Sequence, residues 1–296
     1  MTTIKGNIPV IPTPLLNGKI EFEGFDRLFE RTAKDLQGYV VCGSTGEAPA
    51  LTTEERIKVI SYTADIMPEG KEIVVGLGHT SLTDAIKIGT AAKEKGIRYA
   101  LVPSPYYFPN SLDMVIDYFG QLADHTCLDF VFYDNPVTTK THFTTDELIA
   151  IAKAIPNVKG VKMTDHSFEK IRNLKQRTDL VVFGGDDIIG FRAFVAGVDG
   201  SMTISPVIYP EAFRDCWETF RNGDIAKSFE IYSNVFLPFI SMFGPGDEIP
   251  TTKYLFQNLG IFKSGEVRTP LLAPTETRKK EVLIGYEQGL KSIINK

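Results

Sequence analysis

A lysine closes a short apolar run in this chain, Val158-Lys159-Gly160-Val161-Lys162, and Met163-Thr164-Asp165 follow it. A lysine that ends a buried strand either reaches out to water or does chemistry where it stands. Two further clusters sit where apolar runs stop, Gly43-Ser44-Thr45-Gly46-Glu47 and Phe132-Tyr133-Asp134-Asn135-Pro136. Together they offer an amine that can condense with a ketone, a hydroxyl-lined turn suited to a carboxylate, and a phenol that can move protons. An ordinary lysine, with a pKa of about 10.4, is neutral in only about one molecule in a few thousand at pH 7. Burial favours the neutral amine, the form that attacks a 2-oxo acid to give an imine. The protonated imine is an electron sink when a neighbouring C–C bond breaks or a C3 proton leaves. Such chemistry needs no metal and no organic cofactor, because the imine on Lys162 is itself the electrophile.

The turn Gly43-Ser44-Thr45-Gly46 combines consecutive backbone N–H groups, two hydroxyls and two glycines that permit close approach. No Gly-Lys-Ser/Thr follows it, so it is not a phosphate-binding P-loop. Tyr133 could carry a proton between a bound ketone and its hydroxyl if Ser44 and Tyr107 relay it. Singly, each feature is more often structural: a strand-end lysine at the surface, a Gly-rich turn, a tyrosine in the core. Their convergence outweighs any one of them. The four histidines, His79, His125, His142 and His166, lack metal-ligand spacing.

These groups need a scaffold that brings distant strand ends together. Near-continuous apolar runs at 8–11, 39–42, 73–76, 99–102, 130–133, 158–162, 180–183 and 200–204 read as parallel strands covered on both faces. Amphipathic segments separate them, with capping-box spacing at Thr52/Glu55 and Thr144/Glu147 and an N-cap at Ser81. Eight strand–helix units without a composition break predict a (β/α)8 TIM barrel. An open doubly wound sheet is the rival, but no dinucleotide fingerprint follows the first run. About ninety residues remain after the eighth run, more than one closing helix needs. Residues 1–222 are therefore expected to form the catalytic barrel and 223–296 a helical C-terminal appendage, interrupted at Gly244-Pro245-Gly246. In a barrel, functional groups gather at the C-terminal strand ends. Lys162, Tyr133, Ser44 and Thr45, the pair Tyr106-Tyr107, and Gly185-Asp186 all fall at such ends.

Composition narrows the partners. The chain has 296 residues, 43% hydrophobic and 23% charged, with a net charge of −5 and no basic stripe. Nucleic acid and anionic membrane are not expected. Cys42, Cys127 and Cys216 are odd in number and widely spaced, which argues against a disulfide framework and for a reducing compartment. The first residues lack a signal-peptide core and no run reaches membrane-spanning length, so a cytoplasmic location is expected.

At Gly43–Glu47, Pro105-Tyr106-Tyr107, Tyr133–Pro136, Gly160-Val161-Lys162, Gly185-Asp186-Asp187 and 249–253, the chain resembles the dihydrodipicolinate synthase/N-acetylneuraminate lyase family of pyruvate-dependent class I aldolases. The resemblance implies a Schiff base on Lys162, Tyr133 as acid and base, and Ser44 and Thr45 on the pyruvate carboxylate. It also implies a homotetramer, a dimer of dimers, in which Tyr107 enters the neighbouring site. Thr138, Thr164, Gly185, Asp186 and Met202 complete the expected substrate-binding set. Lysine-pathway synthases usually carry an arginine where this chain has Thr138, which cannot form a bidentate carboxylate pair. They typically carry alanine at Thr164, where sugar-acid branches have a hydroxyl. The family's usual glycine is Lys140 here.

Both substitutions favour an aldolase acting on a hydroxylated 2-oxo acid of the 2-keto-3-deoxy sugar acid type, giving pyruvate and an aldehyde. The alternatives are a 4-hydroxy-tetrahydrodipicolinate synthase that condenses pyruvate with aspartate semialdehyde, a deoxy-keto sugar acid dehydratase, and a non-catalytic sensor.

Overall fold

The computed structural model describes residues 4–244 and 246–294. Pro245, in the expected C-terminal break, lies outside the described residues.

Eight parallel strands form the centre: β1 Gly6–Asn7, β2 Gly38–Val41, β3 Glu72–Gly76, β4 Tyr99–Pro103, β5 Asp129–Asp134, β6 Val158–Met163, β7 Val181–Gly184 and β8 Gly200–Ser201. They run β1-β8-β7-β6-β5-β4-β3-β2, and a parallel bridge from Val10 to Val40 brings the two ends together. This is the expected (β/α)8 barrel, with a helix after each strand and further helices at the C-terminus.

Two apolar layers account for the continuous runs. Val40, Val74, Leu101, Val131, Phe183 and Met202 point into the barrel, while Tyr39, Val41, Phe130 and Phe132 point out against the helices. Successive residues alternate between these layers, and both layers are dry. Both expected capping boxes form, and Ser81 caps its helix by accepting from the Asp84 N–H.

The outer strands of the ladder are shorter than expected. Residues 8–11 are extended, with Ile8 N–H donating to Ser201 O at 2.9 Å and Val10 N–H to Thr203 O at 3.1 Å. Pro9 between them has no N–H to give to the neighbouring β2, so pairing on that side narrows to the Val10–Val40 bridge. The eighth run stops at Ser201 and not at residue 204. The N–H groups of Ile204 and Ser205 donate to the Asp187 carboxylate at 2.9 and 3.1 Å, and a short helix Ser205–Ile208 begins. A hairpin, Leu15–Leu16 with Lys19–Ile20, precedes the first helix. Its Asn17-Gly18 turn, φ +52° and +74°, is a hairpin signal that the run-based reading passed over.

The C-terminal segment holds helices Ile225–Ile231, Leu237–Ile240, Glu248–Asn258 and Glu276–Ile294. It is tied to the barrel by polar contacts from Arg27 Nε to Ile261 O, Arg268 to Glu55 and Lys253 to Glu47.

Candidate active site

A β-bulge positions the lysine. On β6, Val158 faces outward, and so do Val161 and Met163. An odd step from 158 to 161 keeps one direction only if an extra residue intervenes, and the pairing with β5 shifts register there: Phe130 opposes Val158, but Val131 opposes Gly160. Lys159 is the exposed extra residue. Beyond the bulge Lys162 turns inward, directly opposite Tyr133. Its Nζ lies 4.2 Å from the centroid of the Tyr133 ring, and the lysine is only 3% exposed.

Three lysines are buried among the described residues, and their partners separate them. Lys170 Nζ lies 2.7 Å from Asp134 Oδ2 and 2.8 Å from Asp165 Oδ2. Lys253 Nζ lies 2.6 Å from Glu47 Oε1. Those carboxylates pair with both amines and raise Lys170, whereas burial, opposed by Glu47, holds Lys253 below the ordinary lysine value. Lys162 meets the face of a ring, with no ion pair among the described residues. The lysine without a carboxylate partner is the one placed to act as a nucleophile.

Around it the strand ends supply the rest. Asn135 Nδ2 donates to the Tyr133 hydroxyl oxygen at 3.0 Å. Tyr133 also lines a cavity of about 190 Å³ with Ser44, Gly43, Tyr106, Thr138 and Thr139. Gly185 packs against the lysine stem, where a Cβ would lie 2.9 Å from Lys162 Cε and 2.8 Å from Met163 O. The same Cβ would lie 2.6 Å from Thr164 Oγ1, a buried hydroxyl that has no hydrogen-bond partner among the described residues. Met202 is fully buried in the inner layer with Tyr133. Asp186 Oδ2 lies 3.0 Å from His166 Nε2.

Thr45 is buried in the turn that Ser44 exposes to the cavity. Glu47, in the left-handed region at φ +57°, locks that turn. Its Oε1 takes Lys253, and its Oε2 accepts from the Arg268 N–H at 2.6 Å.

Tyr107 stands apart. It is 79% exposed, packed edge-on against Phe108, and the single chain does not bring it to Tyr133. Tyr106 lines the cavity instead. Thr138 lies on the short helix Pro136–Thr139, which ends at Lys140 with φ +57°. The loop thus keeps the left-handed turn that a glycine would make easily.

Three groups escaped the sequence reading. Asn135 was legible only as a member of the Tyr133–Pro136 motif. Asp187 was legible only as part of a motif. Glu248 carried no signal, since the charges it feels, on Asp187, Lys162 and Asp186, lie far from it in the chain. Burial, then the Asp187 carboxylate, pushes the Glu248 carboxyl up to about 7, against the opposing pull of Lys162. Burial also pushes the Cys42 thiol, beside the cavity, up to about 12, so it is an inert wall. No group of three or more His, Cys, Asp or Glu among the described residues is arranged to hold a metal ion.

Comparison with known proteins decides the family: the profile of the "Dihydrodipicolinate synthetase family" matches residues 3–286. The chain belongs to the dihydrodipicolinate synthetase family. A 4-hydroxy-tetrahydrodipicolinate synthase of Hydrogenobaculum is 29% identical over 288 residues, covering 96% of this chain and 99% of the relative. One from Thermosipho africanus is 27% identical over 275 residues, covering 91% and 93%. Among solved structures, the 4-hydroxy-tetrahydrodipicolinate synthase of Methylacidiphilum fumariolicum superposes with a TM-score of 0.93 at 22% identity, covering 99% and 98%. A Ruminococcus gnavus sialic acid aldolase gives 0.91 at 21%, covering 98% of each chain. At those identities the two structures establish the shared barrel. Members of the dihydrodipicolinate synthetase family are pyruvate-dependent lyases and synthases that work through a lysine imine, and the chain is an enzyme of this kind. No helix among the described residues is long and apolar enough to cross a membrane.

Proposed function

We propose that the chain is a class I aldolase that cleaves or forms a hydroxylated 2-oxo acid of the 2-keto-3-deoxy sugar acid type. The reading rests on one observation. The cavity beside Tyr133 is lined by Thr138, Thr139 and Ser44, with no cationic side chain among its described lining residues. Such a wall offers hydrogen bonds to hydroxyls and nothing to hold a second carboxylate.

In this mechanism the neutral Lys162 amine adds to the C2 carbonyl, and loss of water leaves a protonated imine. Tyr133 gives its phenol proton to the departing water, and the resulting phenolate, held by the Asn135 Nδ2 donor, then accepts the C4 hydroxyl proton. The C3–C4 bonding pair flows into the imine, the aldehyde departs, and an enamine of pyruvate remains. Protonation at C3 and hydrolysis of the imine release pyruvate and restore the amine. Ser44 and Thr45 bind the C1 carboxylate, and Thr164, Gly185, Asp186 and Met202 border the remainder of the substrate. The exposed Tyr107–Phe108 pair supports burial against a second copy, within a homotetramer.

A second reading, condensation of pyruvate with aspartate semialdehyde, is favoured by the printed activity of the sequence relatives. Pyruvate release from 2-keto-3-deoxygluconate, run beside a coupled assay with pyruvate and aspartate semialdehyde, separates the two. The aldolase reading expects turnover in the first assay, lost in Lys162→Ala. Strong turnover in the second with none in the first overturns it.

A further inference from the structure

We infer that Lys170 is a positioning residue of this site: its ammonium group clips the end of β5 to the turn that leaves β6, and so fixes the spacing of the Tyr133 phenol and the Lys162 amine. The inference rests on the assignment of those two residues in the Schiff-base reading, and it holds whichever aldehyde the enzyme takes.

The geometry starts with what borders the reacting pair. Upstream, the looped-out Lys159 interrupts the pairing of β5 with β6, which resumes at Val131 and Gly160. Downstream, the register runs through Tyr133 with Lys162 to Asp134 with Met163. The Thr164 N–H then donates to Asp134 O at 3.0 Å, and the strands part. One leads into the short helix Pro136–Thr139, the other into the turn before the helix Phe168–Arg177. Backbone rungs thus hold the pair over a short stretch, with a bulge on one side and a free end on the other.

The clip lies just past that free end. Register partners on parallel strands share a face, so Asp134 points outward with Met163 while Tyr133 and Lys162 point inward. Lys170 meets Asp134 there from the first turn of the helix Phe168–Arg177. Its Nζ donates to Asp134 Oδ2 at 2.7 Å and to Asp165 Oδ2 at 2.8 Å. Asp134 adjoins Tyr133 in the chain, and Asp165 lies on the turn that follows Lys162. One amine therefore bridges the two strand ends beyond their last backbone rung.

The bridge is ionic and largely dry. The Lys170 and Asp134 side chains are 9% and 1% exposed. Burial works against the charge on Lys170, yet Asp134 and Asp165 hold its amine above the ordinary lysine value. Asp165 is fixed in turn, because its Oδ1 accepts from the Ser167 N–H at 2.8 Å. A buried ion pair adds little stability over an apolar pair of similar size, so stability alone does not call for a cation here. What an ammonium group supplies is several donors, able to bond carboxylates on two different strands at once.

The test is exchange of the pyruvate methyl hydrogens for deuterium in D2O, followed by proton NMR at varied pyruvate. Each exchange passes through the imine on Lys162: a C3 proton leaves, its bonding pair moves into the imine to give the enamine, and a deuteron returns to C3. Lys170→Met removes the clip. Asp165→Asn opens it more gently, since the amide oxygen still serves Ser167 while its NH2 faces the ammonium, and the buried pair of Lys170 with Asp134 remains. Both should lower kcat for exchange by about 10- to 100-fold in protein that is folded by circular dichroism, the order expected when a reacting atom moves by about 1 Å. A Tyr133→Phe background has already lost the phenol whose place the clip sets, and there Asp165→Asn should cost no more than about threefold. A folded Asp165→Asn variant with wild-type kcat overturns the inference, even if Lys170→Met fails to fold. So does a loss of equal size with and without the Tyr133 hydroxyl, the result expected of packing alone. Wild-type protein that exchanges no pyruvate, or that forms its borohydride-trapped adduct on another lysine, removes the Schiff-base assignment itself, and the role of the clip goes with it.

Discussion

Tyr133 and Lys162 are direct register partners on adjacent parallel strands, and they face each other inside the barrel because Lys159 is looped out of the ladder. Without the bulge, strict alternation from Val158 would turn Val161 inward and Lys162 toward the helices. The ring and the amine are 4.2 Å apart, so a substrate joined to one lies within reach of the other.

Tyr133→Phe should therefore separate imine formation from bond cleavage. The ring face beside Lys162 survives, while the hydroxyl proposed to take the C4 proton is lost. Cleavage should fall by about 10²- to 10⁴-fold, with the pyruvate adduct on Lys162 still trapped by borohydride. Steady-state pyruvate release and mass spectrometry of the trapped peptide measure the two. Equal rates in the variant and the wild type would remove Tyr133 from the chemistry.

Gly185 bears on the same amine from the next strand. An alanine there would press its methyl onto Lys162 Cε, which can yield, and onto the Met163 carbonyl, which cannot. Displacing a reacting atom by about 1 Å can lower a rate about 100-fold. Gly185→Ala should slow adduct formation by about that factor while leaving a folded protein by circular dichroism. A normal trapping rate would show that the lysine has slack the packing denies it.

The buried pair Lys253–Glu47 joins residues 206 positions apart and fastens the C-terminal helix to the Ser44 turn. Lys253→Met strands the Glu47 carboxylate in the interior and should cost about 3–5 kcal/mol in urea denaturation. Adding Glu47→Gln should return much of it, since an uncharged pair has no orphaned ion. If the double variant is no more stable than the single, the pair's charge is not what the fold depends on.

Lys140 holds a left-handed conformation at φ +57°, with its N–H donating to Pro136 O at 3.1 Å and its exposed Nζ to Val137 O at 2.7 Å. That conformation is strained for a residue with a Cβ, by about 1–2 kcal/mol, and glycine's greater freedom in the unfolded chain offsets part of the relief. Lys140→Gly should stabilise the protein by up to about 1 kcal/mol. A loss of stability on thermal melting would contradict the strain.

Glu248 predicts a pH dependence with a definite sign. Its carboxyl is raised from the ordinary 4.5 to about 7 by burial and then by Asp187. Between those values the folded chain keeps a proton that the unfolded chain releases, so this group's contribution falls as pH rises through the window. By about pH 8 the penalty should approach an upper limit of about 3 kcal/mol. Glu248→Gln escapes it, and should exceed the wild type in stability at about pH 8 while matching it near pH 4. A stability difference that stays constant across that range would count against the raised value.

Much of the fold was legible in the sequence because strands covered on both faces must be apolar throughout, and eight such runs separated by capped helices leave few other architectures. The Ser44 turn, Tyr133 and Lys162 could be singled out for the same reason: polar groups at the ends of dry strands stand out locally. The ends of the barrel were read less well, since Pro9 narrows the first run's pairing with β2 and Asp187 captures the N–H groups that would have extended the last.

What the sequence alone determined, then, was the set of apolar runs and the reactive side chains that interrupt them. The tertiary structure decided which way those side chains point and which remain uncommitted. Direction depends on parity along the strand, and a single looped-out residue reverses it without altering the composition. Whether a buried lysine is paired depends on carboxylates far along the chain: Glu47 meets Lys253, Asp134 meets Lys170, and Lys162 faces a ring with no ion pair among the described residues. Glu248 belongs to the same class, because its chemistry comes from charges gathered from other strands and not from its neighbours in sequence.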